Sequence, residues 1–553
     1  MKRNIAQVKA SIKRIKDYEL ASIIAIVHSI LSYFYSNAFF EYNPEDTTTK
    51  IIKLLVNILL PVVLFFVYWG AIKILRTNKY HQYLKRSICY FILLMILLIL
   101  VWPGIWRHDD MYIAICAKKY IVVDWQHVLT SLFYMLSFKL LPFFSGVIII
   151  QCLVISIITS YIYTQLLKKL NQHDSLTKII LWVPFLLPPV LDSALYPLRP
   201  ILYSYLLILL IYLMIKTLKN IQCSWQNLVS LSLLFVVSST WRSEGIFLFV
   251  VALVYFFYLL KKHKAYPYQI FLSFMIICGG ILSVRSFQNS FSTAHTQNRY
   301  QLSSTIELLT PLVRTAANDM ESNKELLDDV NKVIDINLII NNPEKRGEYI
   351  FWMNGAIRDD YTEEYYKNYM KSFIKLALKY PQIVVKNRIQ EFLATSALIP
   401  NQTNTIKDST SFYEYAKDPG DETAKTFIND GGFSVQPINQ KIRTSIIRFI
   451  EGRTLDNYHK TTLLYPIFWN LIIPLLGILL SIVLLLKHRH ITAAIIVATI
   501  LIKTCIVFMT APQQFHMYYY AEYLLGYILI SYILSYAIVQ CRIKHEKNME
   551  ANL

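Results

Sequence analysis

The sequence predicts an all-α polytopic membrane protein with about twelve transmembrane helices and one mainly helical domain outside the membrane. Of its 553 residues, 55% are hydrophobic and only 16% are charged, which is far more apolar than a soluble chain. Apolar stretches of about 20 residues recur, and that length spans the hydrocarbon core of a bilayer. The short connections between these stretches are alternately rich and poor in Lys and Arg.

The apolar stretches set the helix positions, because a spanning helix needs about 20 consecutive apolar residues. Several boundaries are soft, and the fifth and seventh stretches are the least clearly defined of the set. We expect helices to begin near Glu19, Ile51, Arg86, Phe143, Leu176, Arg199, Leu228, Gly245, Gln269, Thr461, Ile491 and Met517.

The basic connections predict the orientation, because cationic loops resist translocation and stay in the cytoplasm. Every second connection is basic. The basic clusters lie at positions 2–16, 76–86, 168–169, 216–219, 261–264, 487–489 and 542–547. We therefore expect a multi-pass protein of the cytoplasmic membrane with both termini in the cytoplasm.

The same pattern divides the chain into modules. Residues 1–285 form an N-terminal transmembrane module of about nine helices, in which the loop 106–141 lies outside the cytoplasm. Residues 286–460 form an extracytoplasmic domain. Residues 461–541 form a C-terminal module of about three helices, and residues 542–553 form a cytoplasmic tail. Within the domain, residues 383–398 have the spacing of an amphipathic helix that lies either on the membrane surface or in the domain's own core.

The charge distribution favours membrane lipids as partners and gives no support to nucleic-acid binding. The extracytoplasmic domain carries 21 basic and 22 acidic residues, which leaves 34 of the 55 basic and 14 of the 36 acidic residues for the rest of the chain. The net charge of +19 is therefore an orientation signal of the membrane loops. A nucleic-acid-binding protein would instead carry a basic face on a soluble domain.

Two adjacent acids, Asp109 and Asp110, follow the point at which the third helix leaves the membrane at Trp102-Pro103-Gly104. A carboxylate at a membrane surface can accept a proton from a hydroxyl nucleophile. The continuation of the loop to Leu141 alternates apolar clusters with polar residues, which predicts one or two surface helices and no span. We therefore predict a catalytic role for one of the two acids.

Three further junctions on the same side carry guanidinium groups, acids and aromatic rings. Guanidinium groups bind phosphate in a bidentate manner, and aromatic rings suit sugar faces. The predicted substrate-binding residues are His127, Arg199, Arg242, Glu244, His516 and Tyr518. The alternative for each is structural, since arginines and aromatics at helix ends often anchor a protein to the interface. No cofactor is required, although the two acids leave a divalent cation open.

The order of these elements resembles the GT-C superfamily of polytopic glycosyltransferases, in particular its uncharacterised bacterial members. Pro103-Gly104, Asp109 and His127 match a Pro-Gly exit, an acid and a His in spacing, while Val128 stands where that family usually has Pro. The residues Arg242 to Gly245 are similar to an Arg-x-x-Gly turn that opens a middle helix in these enzymes.

The resemblance implies an inverting hexosyltransferase that uses a polyprenyl-phosphate sugar as donor. The acceptor would be an extracytoplasmic glycan, lipid or protein. The general base would be Asp109, with Asp110 as its neighbour or substitute, and no nucleotide would be needed.

Two other functions fit the helix count. A cell-surface polysaccharide polymerase also has about a dozen helices and a large outer loop with functional arginines. A transporter or flippase for a lipid-linked sugar is a non-enzyme alternative, but transporters tend to show repeated halves and buried ionisable residues near the membrane centre. The sequence shows neither an internal repeat nor a Gly-rich phosphate loop.

Overall fold

The protein is helical throughout the part that the computed structural model describes, which is residues 16–77, 80–170, 174–219, 224–262, 266–400, 421–454 and 460–551. Within these ranges the only extended pairings are two isolated bridges, Ile334 with Ile357 and Arg453 with Thr461. The helical fold class is therefore confirmed.

Twelve helices precede the polar domain: α1 Asp17–Ser36, α2 Thr47–Arg76, α3 His81–Leu100, α4 His108–Lys118, α5 Val128–Leu140, α6 Gly146–Lys169, α7 Ser175–Leu186, α8 Pro188–Ala194, α9 Arg199–Lys219, α10 Trp225–Thr240, α11 Phe247–Lys262 and α12 Pro267–Asn289. In the described part of the polar domain there are eight: α13 Ala294–Ala317, α14 Met320–Asn331, α15 Ile336–Ile340, α16 Gly347–Phe351, α17 Glu363–Lys379, α18 Pro381–Thr395, α19 Glu422–Gly431 and α20 Gln440–Ile450. Four complete the chain: α21 Leu464–Phe468, α22 Ile472–Lys487, α23 Ile491–Thr510 and α24 Tyr520–Ala551.

Ten helical segments of the described chain are long and apolar enough to cross a membrane. An eleventh is possible if α7 and α8, which are bent by 55° relative to each other, form one broken span. Each of the twelve expected apolar segments is helical. The described chain has ten candidate spans, or eleven with the broken pair, where the sequence predicts about twelve. The two weakest expected helices, the fifth and the seventh, account for the difference.

The seventh expected helix is α10, which has 16 residues and so extends about 24 Å at 1.5 Å per residue. The helices on either side of it run in the same direction, because Lys262 at the end of α11 donates to the Leu218 carbonyl near the end of α9. Tyr255 also donates to the Met214 carbonyl at 3.0 Å. The chain must therefore return along α10 between them, although α10 is shorter than the roughly 30 Å hydrocarbon core.

The bend between α7 and α8 follows from the sequence Leu187-Pro188-Pro189. Two successive prolines remove two backbone donors and disfavour a helical conformation at the preceding residue. The chain is therefore extended at Leu187, and α8 starts again with proline in its first turn. This break turns α8 toward the loop that carries Arg199.

The expected loop 106–141 contains two helices, α4 and α5, with 11 and 13 residues. Both are too short to span, as the sequence predicts. The polar domain has its own apolar core from Leu302 to Val384, whereas α19 and α20 contribute Ala424, Phe427 and Ile447 to the main core of the membrane module. The last part of the domain is thus packed directly on the membrane helices.

Candidate active site

The two acids lie in the first turn of α4, where the positive end of the helix dipole favours carboxylates. Three aromatic rings hold α4 in place. The ring of Phe427 from α19 stacks on Phe144 with centroids 4.6 Å apart, and it contacts Trp106 at 4.8 Å. This packing fixes the start of α4 and therefore the directions of the two carboxylates. The two carboxylates point to different surroundings.

Asp109 is accessible to solvent even though protein atoms surround it closely. Burial raises the pKa of Asp109, and the charges of His108, Arg107 and Arg199 act in the opposite direction. The amide of Gln126 lies 3.5 Å from its Oδ2. Because solvent reaches Asp109 although protein atoms surround it closely, its carboxylate lies in a deep crevice.

Asp110 is completely buried, and its neighbours that favour the ionised form are the charge and the backbone amide of Arg107. Burial raises its pKa well above the usual range, and the negative charge of Asp109 adds to this. Because burial disfavours an ionised carboxylate, the environment of Asp110 favours its protonated form.

The Arg199 turn is held by backbone carbonyls that accept bonds from two neighbouring helices. Gln151 of α6 donates to the Tyr196 carbonyl at 2.6 Å, and Tyr134 of α5 donates to the Pro197 carbonyl at 2.9 Å. Arg199 itself donates to the Tyr300 hydroxyl of α13 at 3.2 Å. No carboxylate within the described ranges lies at ion-pair distance from Arg199, although its charge acts on Asp109.

Arg242 and Glu244 form a buried ion pair at the turn between α10 and α11. The guanidinium group also lies 5.6 Å from the centroid of the Tyr518 ring. The charges of both Arg242 and Asp109 act on Tyr518, so that this ring connects the two parts of the site. Tyr518 belongs to a short 3-10 helix, His516–Tyr519, at the start of α24.

A second buried ion pair lies beneath Tyr518. Lys503 of α23 donates to both oxygens of Glu522, at 3.1 and 3.0 Å, and to the Tyr518 carbonyl at 2.7 Å. The charge of Lys503 also acts on Glu244. The Arg242 and Lys503 pairs therefore form one neutral group of four charges that supports the Tyr518 turn.

Five of the eight sequence-predicted residues thus lie around one crevice: Asp109, Arg199, Arg242, Glu244 and Tyr518. Asp110 lies directly behind it. His127 lies close enough to Arg199 to feel its charge but uses its ring within the chain, whereas His516 lies among aromatic rings. His127 has a φ of +73° and caps α5 by accepting from the Leu129 amide at 3.3 Å, and burial together with Arg199 and Arg285 lowers its pKa to about 3. His516 packs edge-on between the rings of Trp469 and Tyr523, with centroids 5.0 and 4.8 Å away.

Three residues of the crevice were missing from the predicted set. The guanidinium group of Arg107 lies over the rings of Tyr196 and Phe515, at 4.4 and 5.3 Å from their centroids. Its position two residues before Asp109 could have indicated it. Tyr300 and Gln126 carry no comparable signal in the sequence, because each reaches the site through tertiary packing.

Within the described residues, no group of three or more His, Cys, Asp or Glu side chains could hold a metal ion. The possible divalent cation therefore has no ligand set in this part of the chain.

No protein-family profile, no curated protein and no solved structure matches this chain.

A cavity of about 250 Å³ lies in the polar domain and is bordered by Gln514 of the loop that precedes Phe515. Its lining includes Glu391 and Gln514, whose side chains are joined by a hydrogen bond of 3.0 Å. Arg346 bridges Glu391 and Glu307 at 2.7 and 3.1 Å. Arg388 of α18 donates to the Ala511 carbonyl at 2.9 Å. These bonds connect the polar domain to the segment that carries Phe515 and Tyr518.

Proposed function

We propose that this protein is a GT-C-type membrane glycosyltransferase, which transfers a sugar from a polyprenyl-phosphate donor to an acceptor outside the cytoplasm. The alternation of the seven basic clusters supports an extracytoplasmic position for the crevice and the polar domain. Nucleotide-free donors suit that compartment. The acceptor is a cell-envelope glycan, a glycolipid or a protein.

The observation that carries the proposal is the meeting of Asp109 and Arg199 at one accessible crevice. The two residues come from different loops, 90 positions apart, and their charges act on each other. Arg199 has a phenol as its hydrogen-bond partner, so its positive charge is available to a phosphate group. A base and a phosphate-binding cation that are close enough for their charges to interact are what sugar transfer from a lipid phosphate requires.

The reaction follows from these positions. Asp109 accepts the proton of the acceptor hydroxyl, and the hydroxyl oxygen attacks the anomeric carbon of the donor sugar. The bond between that carbon and the phosphate oxygen breaks, and the lipid phosphate leaves with the bonding electrons toward Arg199. Attack opposite to the leaving group inverts the anomeric configuration. Tyr518 offers a ring face for one of the sugars.

Asp109 is the better base of the two acids. A general base must be ionised and must reach the proton that it accepts. Asp109 is accessible, and three cationic or titratable neighbours favour its ionised form. Asp110 is fully buried with a strongly raised pKa, so it cannot reach an acceptor.

The cavity of about 250 Å³ beside Gln514 offers a binding surface for the acceptor. The cavity is lined by equal numbers of opposite charges. These are the cations Arg314, Lys345 and Arg346 and the carboxylates Glu307, Glu344 and Glu391. Since these charges balance, the lining favours an uncharged, hydroxyl-rich group such as a sugar over an anionic polymer.

The test uses the purified chain in lipid vesicles with radiolabelled polyprenyl-phosphate sugars and a crude acceptor extract. Asp109→Asn should abolish turnover while donor binding is retained, because the amide is nearly isosteric but cannot accept the proton. Asp360→Asn, an exposed position in the polar domain, is the matched control. The raised pKa of Asp109 also predicts that the rate of the wild type falls as pH decreases through that pKa.

Each outcome assigns a function. Full turnover by Asp109→Asn would refute the base. Turnover only with lipid-linked oligosaccharide repeat units would favour the polymerase. Movement of the labelled lipid across the bilayer without transfer would identify a flippase.

A further inference from the structure

We propose that residues 432–450, a short 3-10 helix followed by α20, lie in the membrane interface and bind the lipid surface with an apolar face. We call this stretch the interfacial segment. It belongs to the polar domain by sequence, and its membrane contact does not depend on the proposed chemistry. The inference rests on where the ends of the segment are attached and on which of its side chains are exposed.

The beginning of the segment is attached to the end of one membrane span. The indole of Trp102 donates to the Ser434 carbonyl at 2.9 Å, and the buried Arg443 donates to the Gly104 carbonyl at 3.0 Å. Trp102 and Gly104 follow directly after α3, a candidate span that ends at Leu100. The 3-10 helix Gly432–Val435 and the first turn of α20 are therefore at the level at which α3 leaves the membrane.

The end of the segment is attached to another span. The indole of Trp469 donates to the Ile450 carbonyl at 3.3 Å, and the Thr462 amide donates to the Gly452 carbonyl at 2.8 Å. Trp469 lies in the candidate span Leu464–Lys487. A helix of 11 residues, about 16 Å long, thus connects the same-side ends of two spans. Its axis must run along the membrane surface.

Four of the side chains that this segment exposes are large and apolar, and they lie among the exposed polar residues Gln436, Asn439, Gln440, Lys441 and Ser445. Phe433 is 91% exposed, Ile438 69%, Phe449 63% and Ile442 45%. Ile442 and Phe449 are seven residues apart and share one face of α20. A different face buries Arg443, Ile447 and Ile450 against the protein. A helix whose free side faced water would carry few large apolar residues there, so exposed Ile442 and Phe449 favour an apolar surrounding.

The lipid surface is the occupant that these positions favour. Leu463, which directly precedes the next span, is 86% exposed, so the apolar surface continues from the segment into the membrane-facing side of α21. Lys441 is exposed beside this face, where its chain can extend to the lipid headgroups. Interfacial helices combine an apolar face of this kind with flanking cations and Trp.

The segment also connects the lipid surface to the crevice. The preceding helix, α19, ends at Gly431 and places the Phe427 ring against Trp106, two residues before His108 at the start of α4. Lipid contact through Phe433 therefore fixes α19, and α19 covers the helix that carries Asp109.

Site-specific photo-crosslinking tests the proposal. The photoreactive residue p-benzoylphenylalanine is introduced at Phe433 or at Phe449, and the full chain is reconstituted in vesicles of phosphatidylethanolamine and phosphatidylglycerol. After irradiation, lipid adducts are measured by mass spectrometry. The same residue at Phe34, which is 71% exposed on span α1, gives the yield expected of full lipid contact. At Trp352, which is 73% exposed on the polar domain, the same photoreactive residue gives the background yield of lipid adducts.

We expect lipid adducts at positions 433 and 449 within about twofold of the Phe34 yield and several-fold above the Trp352 yield. Both substitutions replace exposed aromatic residues, so size-exclusion profiles should match the wild type. Adducts with another segment of this chain or with a second copy, or lipid yields no higher than at Trp352, would overturn the proposal.

Discussion

The buried ion pair between Lys503 and Glu522 allows the sharpest test of how the crevice is supported. Both side chains are almost completely buried, at 2% and 1% exposure, and the ion-pair distance is 3.0 Å. Replacing Glu522 with Leu leaves the Lys503 ammonium without its counter-charge in an apolar surrounding. The same variant also removes the acceptor of the Thr504 hydroxyl, which lies 3.2 Å from Glu522.

The expected magnitude follows from the geometry. At 3.0 Å and an effective dielectric constant of about 20, the attraction between two unit charges is about 5 kcal/mol. Removing one partner of a buried pair typically costs about 3–5 kcal/mol, because an uncompensated charge remains. Replacing both partners by apolar residues of similar size is much less costly. The double variant loses the donor to the Tyr518 carbonyl, which costs about 1 kcal/mol.

The assay is a double-mutant cycle of Glu522→Leu, Lys503→Met and the combined variant, with reversible unfolding followed in mixed detergent micelles. We expect each single variant to lose about 3–5 kcal/mol of unfolding free energy and the double variant about 1–2 kcal/mol. The control is Lys367→Met, which removes an ion pair to Glu363 that is two-thirds exposed at both ends. It should change stability very little.

Additive single effects in this cycle would refute the reasoning. They would mean that the two charges are solvated independently and that the four-charge group does not support the Tyr518 turn. A double variant as unstable as either single variant would instead assign the loss to packing around α23 and α24.

Two further predictions follow from the crevice. Because the pKa of Asp110 is raised, its contribution to stability is complete below the unfolded pKa and is lost as pH rises through the folded pKa. Asp110→Asn should remove this decline of stability with rising pH, whose slope is up to about 1.4 kcal/mol per pH unit. An unchanged slope in unfolding experiments from about pH 5 to 9 would contradict this prediction. At Gly245 a Cβ would overlap the Ser238 carbonyl oxygen, so Gly245→Ala should displace the Arg242 turn and reduce turnover on the order of 10²-fold. Gly279→Ala, where a Cβ meets no atom within 4 Å, is the control, and equal activity of the two variants would contradict the prediction.

The sequence predicted the helices well because the membrane imposes a strong local rule. An apolar stretch in a bilayer must satisfy its backbone hydrogen bonds within itself, so that length and composition are enough to place a helix. The rule is weaker where a helix is shielded by neighbours. α10 can be shorter than a full span, and α7 can break at Leu187, because other helices surround them.

The directions of individual side chains were harder to predict, because they depend on contacts that are distant in the sequence. Tyr300 reaches Arg199 from 101 residues away. His516 lies beside Tyr518 in the chain, yet its ring faces the aromatic packing around Trp469. The helix α18 shows the same limit. Its Arg388 has the spacing of a solvent-facing residue but is buried and bonded to the Ala511 carbonyl.

Arg199 and Arg242, which the sequence alone does not distinguish, differ in their charge partners. Arg242 is buried and its charge is already balanced by Glu244, within a group that Lys503 and Glu522 complete. Binding a phosphate there would add a negative charge to a neutral, desolvated group. Arg199 is only half-buried and donates to a neutral phenol, so a phosphate would complete its pairing. Within the proposed reaction, we therefore assign the leaving phosphate to Arg199 and the orientation of the Tyr518 ring to Arg242.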